Sequence, residues 1–142
     1  MANVCSFCSA DLSSVEKCED LLYPTQVKEF QDWSYGAVHH LSVPCYMIQH
    51  NVYTKEGFCH VRALLKRFIE EDLDPQRMRS YFNRENDSGK RDFRFTKGEK
   101  ETRFAEVKWS FTVADVRLDT AENYCTDVKE WALSVLRDTA HL

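Results

Sequence analysis

Three cysteines in the first eighteen residues have a spacing that suits a metal ion. Cys5 and Cys8 form a CxxC pair, and Cys18 follows near the start of an expected helix. Two thiolates on a tight turn can reach one ion, and zinc takes four tetrahedral donors, with sulfur at about 2.3 Å and imidazole nitrogen at about 2.0–2.1 Å. The sequence therefore predicts a zinc site that needs a fourth ligand.

The segment VHHLSVPCYMIQH, residues 38–50, holds the histidines that can supply this ligand. On an unbroken helix His39 and His50 share a face but lie about 16 Å apart along it, so they cannot both bind one ion. His39 and His40 point about 100° apart, and only one of them can face inward. We expect one histidine of this pair beside the sulfurs and a separate role for His50.

Other roles for the cysteines stay open. Cys18 could be an ordinary buried residue, because free cysteine is among the most buried residue types. His39 could likewise be a core histidine whose ring is hydrogen-bonded. A redox role for Cys5 and Cys8 is less well supported, since the pair lacks the preceding strand of a thioredoxin-like unit. The remaining cysteines are expected to fill the core, and they are Cys45, Cys59 and Cys125.

No complete catalytic signature is present. The sequence has no HExxH, no GxSxG and, with four glycines, no glycine-rich phosphate loop. Glu29, Asp32 and Asp115 are candidates for a general base or for a residue that supports a metal ligand. In a zinc-dependent hydrolase, His50, Glu29 or Asp115 would act as the general base or acid. Asp115 lies within the apolar stretch WSFTVADVR, where a buried carboxylate would need Arg117 or a backbone turn as its partner.

Composition predicts one soluble domain, residues 1–142, with residues 1–20 as a metal-binding segment packed on it. The chain has 142 residues, 43% of them apolar, which is enough for one core. Its start has neither the basic residues nor the apolar run of a signal peptide, and no stretch approaches the roughly 18–20 apolar residues of a membrane span. We therefore expect a cytoplasmic protein without membrane partners, whose cysteines are thiols or ligands.

Charge is unevenly distributed. The net charge is −4, but residues 77–108 hold ten of the nineteen basic residues and six of the twenty-three acidic ones. Such a segment is usually a solvated loop, yet it is also a candidate surface for a protein or nucleic-acid partner. The candidate contact residues are Arg77, Arg79, Arg84, Lys90, Arg91 and Arg94.

Helical patterns dominate the chain. Ser13 and Glu16 have capping-box spacing and predict the start of a first helix, which Pro24 should kink or restart. After Pro24, three apolar residues at helical spacing are expected to face the core, and they are Val27, Phe30 and Trp33. Further helices are predicted over residues 38–50, which Pro44 should bend or divide, over 54–73 with an apolar stripe, over 75–85, and from about Thr120 onward. The apolar residues at helical spacing in the last of these are Tyr124, Val128, Trp131, Val135 and Leu136.

Alternating apolar residues predict a small β-hairpin between the last two helices. RDFRFT places Phe93 and Phe95 on one side, and EVKWSFT does the same with Val107, Trp109 and Phe111. The expected fold class is therefore mainly α, with a small hairpin and a zinc-bound N-terminal segment.

Several segments together resemble an uncharacterised bacterial family of short proteins catalogued as a domain of unknown function. They are CSFC, CEDLL, YGAVHHLSVPCYMIQH, DSGKR, Trp109 with ADVR, and NYCTDVKEWALSVL, and they span nearly the whole chain. The family pattern of CxxC, a later Cys and HxLxV…YxxQH falls on Cys5, Cys8, Cys18, His39, Leu41, Val43, Tyr46, Gln49 and His50. The sequence departs from the family pattern at Pro44, the position at which many relatives have Asp.

The resemblance implies a shared fold and metal site but no activity, and it favours His39 over His40 as the fourth ligand. The predicted zinc ligands are thus Cys5, Cys8, Cys18 and His39, while water in the fourth position stays open. Four further residues are candidates for a second polar site, namely His40, Gln49, His50 and Asp115. The leading functional hypothesis is a zinc-stabilised binding or adaptor module, with a zinc-dependent hydrolase or a weak nucleic-acid-binding protein as alternatives. The oligomeric state stays open.

Overall fold

A computed structural model describes residues 3–72 and 98–142, and this part of the chain is mostly helical. Its α-helices are α1 (Glu19–Gln31), α2 (Trp33–Gly36), α3 (His39–Gln49), α4 (Lys55–Glu70) and α5 (Ala121–Asp138). Two short 3₁₀ helices, Thr102–Glu106 and Val113–Asp115, lie between α4 and α5. The predicted helix over 75–85, the segment RDFRFT and all six basic candidate contact residues lie outside the described residues.

Helix α5 is the central element, and it packs against α2, α3 and α4. Thr120 caps it, because its hydroxyl accepts a hydrogen bond from the Asn123 amide at 3.1 Å. Its apolar side chains at helical spacing are buried, including Val128, Trp131 and Val135. The predicted start and apolar face of this helix are confirmed.

Helix α4 also follows its sequence pattern. The Thr54 hydroxyl accepts a hydrogen bond from the Gly57 amide at 3.0 Å, and Phe58, Leu65 and Phe68 are buried. Arg62 is not simply solvated, since its guanidinium donates to the Leu136 carbonyl at 2.7 Å near the end of α5. The basic side of α4 thus helps to close the C-terminal end of α5.

The predicted start of the first helix is wrong, and of the two outcomes expected at each proline, division of the helix does not occur. Pro24 and Pro44 lie inside α1 and α3, and neither divides its helix. Helix α1 begins at Glu19 rather than at Ser13, whose amide instead donates to the Asp11 carboxylate at 2.9 Å. Residues 13–18 form turns that bring the chain from the CxxC loop to the helix start.

Helix α1 buries a different face from the one that the sequence pattern predicts. Phe30 and Trp33 are 93% and 82% exposed, whereas Thr25 and Glu29 are buried. The buried polar side is tolerated because hydrogen bonds satisfy it, including one from the Thr25 hydroxyl to the Leu22 carbonyl at 2.7 Å. The expectation that Val27, Phe30 and Trp33 face the core is wrong.

The β-hairpin is also not supported, because no strand occurs in residues 3–72 or 98–142. Val107, Trp109 and Phe111 are partly buried against the core, which explains their alternation. The backbone of this segment bonds to side chains instead of a second strand: Ser110 donates its amide to Asp138 at 2.8 Å, and the Phe111 carbonyl accepts from Gln49 at 2.7 Å. Alternating burial here marks an extended segment lying on helices.

None of the helices in the described residues has both the length and the apolar character needed to cross a membrane.

The cysteines outside the N-terminal segment differ in burial. Cys45 is fully buried, Cys125 is partly buried, and Cys59 is exposed, so core filling is wrong for Cys59.

Candidate metal centre

The N-terminal residues form a tight loop that carries Cys5 and Cys8. The Cys5 amide donates to the Ala10 carbonyl and the Ser9 amide to the Cys5 carbonyl, both at 2.9 Å. Ser9 takes a positive φ of 66°, which lets the chain reverse. The Phe7 amide donates to Cys5 Sγ, 3.5 Å away. The loop therefore presents both sulfurs on one side.

Cys18 approaches this loop from the start of α1. Its Sγ lies 3.7 Å from Cys8 Sγ, and both residues are buried. The hydrogen bond between the two thiols lowers the pKa of Cys8 to about 4, against the effect of burial, and the same bond together with burial raises the pKa of Cys18. Of the two thiols, Cys8 is therefore the one that ionises first, and the thiolate is the form that binds a metal ion.

His50 completes the group from the end of α3. Its Nε2 lies 3.5 Å from Cys5 Sγ, and its Nδ1 donates a hydrogen bond to the Tyr46 carbonyl at 2.7 Å. Since a carbonyl can only accept, this bond places the proton of the neutral ring on Nδ1 and leaves the Nε2 lone pair toward the sulfurs. The Tyr46 ring stacks on the imidazole at 3.9 Å between centroids and fixes its plane.

The four donor atoms have the spacing of a tetrahedral site. The Sγ atoms of the three cysteines and a ring nitrogen of His50 all lie within 4.8 Å of one another. Zinc–sulfur bonds of about 2.3 Å imply sulfur–sulfur separations of about 3.8 Å in a tetrahedron, close to the 3.7 Å between Cys8 and Cys18. This Cys₃His cluster can hold a metal ion.

The structure moves the fourth candidate ligand from His39 to His50. His39 lies at the other end of α3, where its Nδ1 is 2.7 Å from Glu29 Oε1 and its side chain is 48% exposed. His39 and His50 stand at opposite ends of α3, and the sequence does not reveal which end meets the N-terminal loop. The sequence signal that pointed to His50 is the QH pair at the end of the family pattern HxLxV…YxxQH.

The other candidate polar residues have separate positions. His40 is buried, with its ring edge-on to Phe68 at 5.4 Å. Gln49 is buried and accepts a hydrogen bond from Trp131 Nε1 at 3.1 Å. Asp115 caps a 3₁₀ helix, accepting from the Thr112 amide at 2.9 Å. Among the described residues, the group able to hold a metal ion contains His50 but neither His40 nor Asp115.

The sequence reasoning considered Glu29 as a general base or as a support for a metal ligand, and it missed the polar cluster that this residue forms. Glu29 Oε2 accepts hydrogen bonds from the Ser42 hydroxyl at 2.8 Å and from the Tyr124 hydroxyl. His39 is hydrogen-bonded to the other oxygen, Oε1, so the buried carboxylate joins α1, α3 and α5. The spacing of His39 and Ser42 on one helix face was the only hint in the sequence.

Fold and site together define a class: helical proteins whose N-terminal cysteine loop is joined to an internal helix by a Cys₃His cluster able to bind a metal ion. Comparison with known families identifies the family to which the chain belongs. The chain matches DUF5946, described as a family of unknown function, over residues 3–140, and it belongs to that family. No curated protein and no solved structure matches the chain.

Proposed function

We propose that this protein is a zinc-stabilised binding module in which zinc has a structural rather than a catalytic role. The observation that carries the proposal is the convergence of four donors of the right chemistry, three thiols and one imidazole nitrogen, within 4.8 Å. Thiolate-rich sites with four protein ligands are typical of structural zinc, whereas catalytic sites keep one position for water.

Zinc would stabilise the fold by fastening the N-terminal loop to the helices. Ala10 and Leu12 are buried with the core, but the larger side chain of Phe7 is about half exposed, as is Val4, so zinc would add to a limited hydrophobic contact. Structural zinc contributes about 10–16 kcal/mol of apparent binding free energy in zinc-finger peptides, and this energy stabilises the folded state. The ion would thus hold Cys5 and Cys8 against the ends of α1 and α3.

The hydrolase alternative has less support. His50, named in that hypothesis as a general base, is itself one of the four donors. Glu29 accepts three hydrogen bonds in the interior, and Asp115 caps a 3₁₀ helix. None of these groups is free to activate a zinc-bound water. The nucleic-acid alternative depends on the six basic candidate residues, which lie outside the described part of the chain.

Metal analysis of matched cysteine variants tests the proposal. We expect about one zinc per chain in the purified wild type, loss of zinc in Cys8→Ser, and full zinc in Cys59→Ser, because Cys59 is an exposed thiol outside the cluster. Cobalt substitution should give the absorption of tetrahedral thiolate coordination, unchanged by added azide. A chain that binds no zinc after reconstitution would refute the zinc site, and an azide-sensitive spectrum would refute the structural role.

A further inference from the structure

The sulfurs of the Cys₃His cluster must carry negative charge inside the protein when zinc is bound. The thiolate is the form of cysteine that binds a metal ion. Three thiolates, one neutral imidazole and one Zn²⁺ leave one net negative charge at the site. Cys5, Cys8 and Cys18 are all buried, so water cannot solvate this charge freely. Since a buried charge is costly unless it is hydrogen-bonded, each sulfur needs a donor.

The N-terminal loop supplies donors to two of these sulfurs at the same spacing. The Phe7 amide donates to Cys5 Sγ at 3.5 Å. Hydrogen bonding with the Cys18 thiol is the main cause that lowers the pKa of Cys8, and a backbone hydrogen bond from Ala10 acts in the same direction. Each backbone donor lies two residues after its cysteine. The CxxC loop therefore provides for Cys5 and Cys8 from its own backbone.

Cys18 lies outside this loop, at the start of α1. It occupies the N-cap position of the helix, but its side chain makes no capping hydrogen bond with the first turn. Cys8 Sγ is 3.7 Å away, yet the Cys8 thiol loses its proton when it binds zinc and can then no longer donate. Neither the helix that Cys18 caps nor the neighbouring cysteine can thus serve as its donor in the zinc-bound state.

Tyr46 brings a hydroxyl to this part of the cluster from α3. Its side chain is buried, and its ring stacks on the His50 imidazole with 3.9 Å between the centroids. A ring nitrogen of His50 and Cys18 Sγ lie within 4.8 Å of each other, so a ring stacked on His50 is also close to Cys18. Burial and the negative charges of Cys18 and Glu19 raise the pKa of Tyr46, and a hydrogen bond with the Cys18 side chain raises it further. A phenol kept protonated beside a thiolate is a donor.

We propose that the Tyr46 hydroxyl donates a hydrogen bond to the Cys18 thiolate, which makes Tyr46 the positioning residue for two of the four zinc ligands. The other ligand is His50, whose Nδ1 proton is accepted by the Tyr46 carbonyl at 2.7 Å. One residue of α3 thus holds the imidazole at the end of its own helix and the sulfur at the start of α1. The inference rests on the proposed function, because it assigns Tyr46 a role toward the zinc ion of that proposal.

The charge-transfer band between sulfur and metal in the cobalt-substituted, full-length chain tests this hydrogen bond. Tyr46→Phe keeps the ring and the carbonyl and removes only the hydroxyl. A thiolate without a donor releases electron density more readily, so the band should move to lower energy. Zinc affinity should fall about 10-fold, within the range found for residues that support a ligand.

Tyr35→Phe is the matched control. It also removes the hydroxyl of a buried tyrosine, but this hydroxyl donates to the Leu118 carbonyl at 3.0 Å. Its charge-transfer band and zinc affinity should equal those of the wild type. Urea unfolding of both variants measures any loss of stability separately, and such a loss does not by itself move the band.

A stronger donor at the same position gives a test of opposite sign. Replacing Tyr46 by 3-fluorotyrosine makes the hydroxyl more acidic and changes the side-chain volume little, so the band should move to higher energy. If Tyr46→Phe does not fold, the fluorinated chain decides alone, and an unchanged band in it overturns the proposal.

The outcomes separate this inference from the zinc site itself. A wild-type band and wild-type zinc affinity in Tyr46→Phe would overturn the role of Tyr46 and leave the Cys₃His site intact. A shift of the same size in Tyr35→Phe would overturn it too, because the effect would then not depend on contact with Cys18. A wild-type chain that binds neither zinc nor cobalt would overturn the proposed function, and this inference with it.

Discussion

Glu29 Oε1 lies 2.7 Å from Nδ1 of His39, an ion pair that joins the end of α1 to the start of α3. The carboxylate is buried and the imidazole is half exposed. Ser42 and Tyr124 donate to the other carboxylate oxygen, so one side chain connects three helices. A buried carboxylate with three donors is stable in place, but removing its charge disturbs every partner.

We first predict that Glu29→Gln lowers the pKa of His39. The hydrogen bond to Glu29 raises this pKa above the usual 6.5, although burial acts in the opposite direction. A neutral amide cannot stabilise the imidazolium to the same extent. NMR titration of the His39 ring measures the change. Asp119→Asn is the control, because Asp119 bonds to Thr120 and Asn123 instead, and an unchanged His39 titration in Glu29→Gln would contradict the prediction.

The second prediction concerns pH and stability. Because the folded state raises the pKa of His39, the pair stabilises the fold fully below the unfolded pKa, and this stabilisation is lost as pH rises through the folded value. The difference in unfolding free energy between wild type and His39→Gln should therefore be larger at acidic than at alkaline pH. The effect should be modest, since solvent screens the half-exposed imidazole. Urea unfolding at several pH values, with zinc saturating, measures it, and a difference independent of pH would contradict the prediction.

Helical periodicity predicted α4 and α5 well because their buried faces are apolar. It failed for α1 because Thr25 and Glu29 are buried there, while Val27 and Phe30 face outward. A single-sequence pattern identifies an apolar face but not what covers it. Glu29 can be buried only because His39 and other donors reach it from distant parts of the chain, and their positions are not visible in the local sequence.

The Cys₃His cluster could be predicted only in part, because one of its members comes from a distant part of the chain. The three cysteines are close in sequence, so their convergence follows from short-range geometry. His50 comes from a helix whose direction relative to the N-terminal loop depends on tertiary packing. Hydrogen bonding of His39 to Glu29 and of His50 to Tyr46 gives the two histidines separate roles.

A third prediction separates these histidines by metal affinity. His50→Ala should weaken zinc binding by at least about 100-fold, since loss of a ligand exceeds the 10–100-fold cost of losing a residue that supports one. His39→Ala should bind zinc like the wild type. Competition titration against a chelator of known affinity measures both variants. Equal affinities, or a larger loss in His39→Ala, would contradict the assignment of His50 as the fourth ligand.

The fourth prediction concerns Gln49, which connects α3 to two other parts of the core. Its amide donates to the Phe111 carbonyl at 2.7 Å and accepts from Trp131 Nε1 at 3.1 Å. Gln49→Met keeps the side-chain length but leaves both partners unpaired, which should lower the unfolding free energy by about 2–4 kcal/mol. Urea unfolding followed by tryptophan fluorescence measures this change. Gln31→Met, at an exposed position, should change stability by less than about 0.5 kcal/mol.

The fifth prediction tests the close contact between α1 and α2. A Cβ atom at Gly36 would lie 2.8 Å from the backbone carbonyl oxygen of Glu29. Backbone cannot rotate away as a side chain can, so Gly36→Ala should push α2 from α1 and cost about 1–3 kcal/mol of stability. The neighbouring Ala37→Ser, at an exposed residue, should cost less than about 0.5 kcal/mol. Because the same shift moves the Glu29 backbone, the NMR signals of the His39 ring should change in Gly36→Ala and not in Ala37→Ser. Equal stability of the two variants, with unchanged His39 signals, would show that the helices do not approach each other this closely.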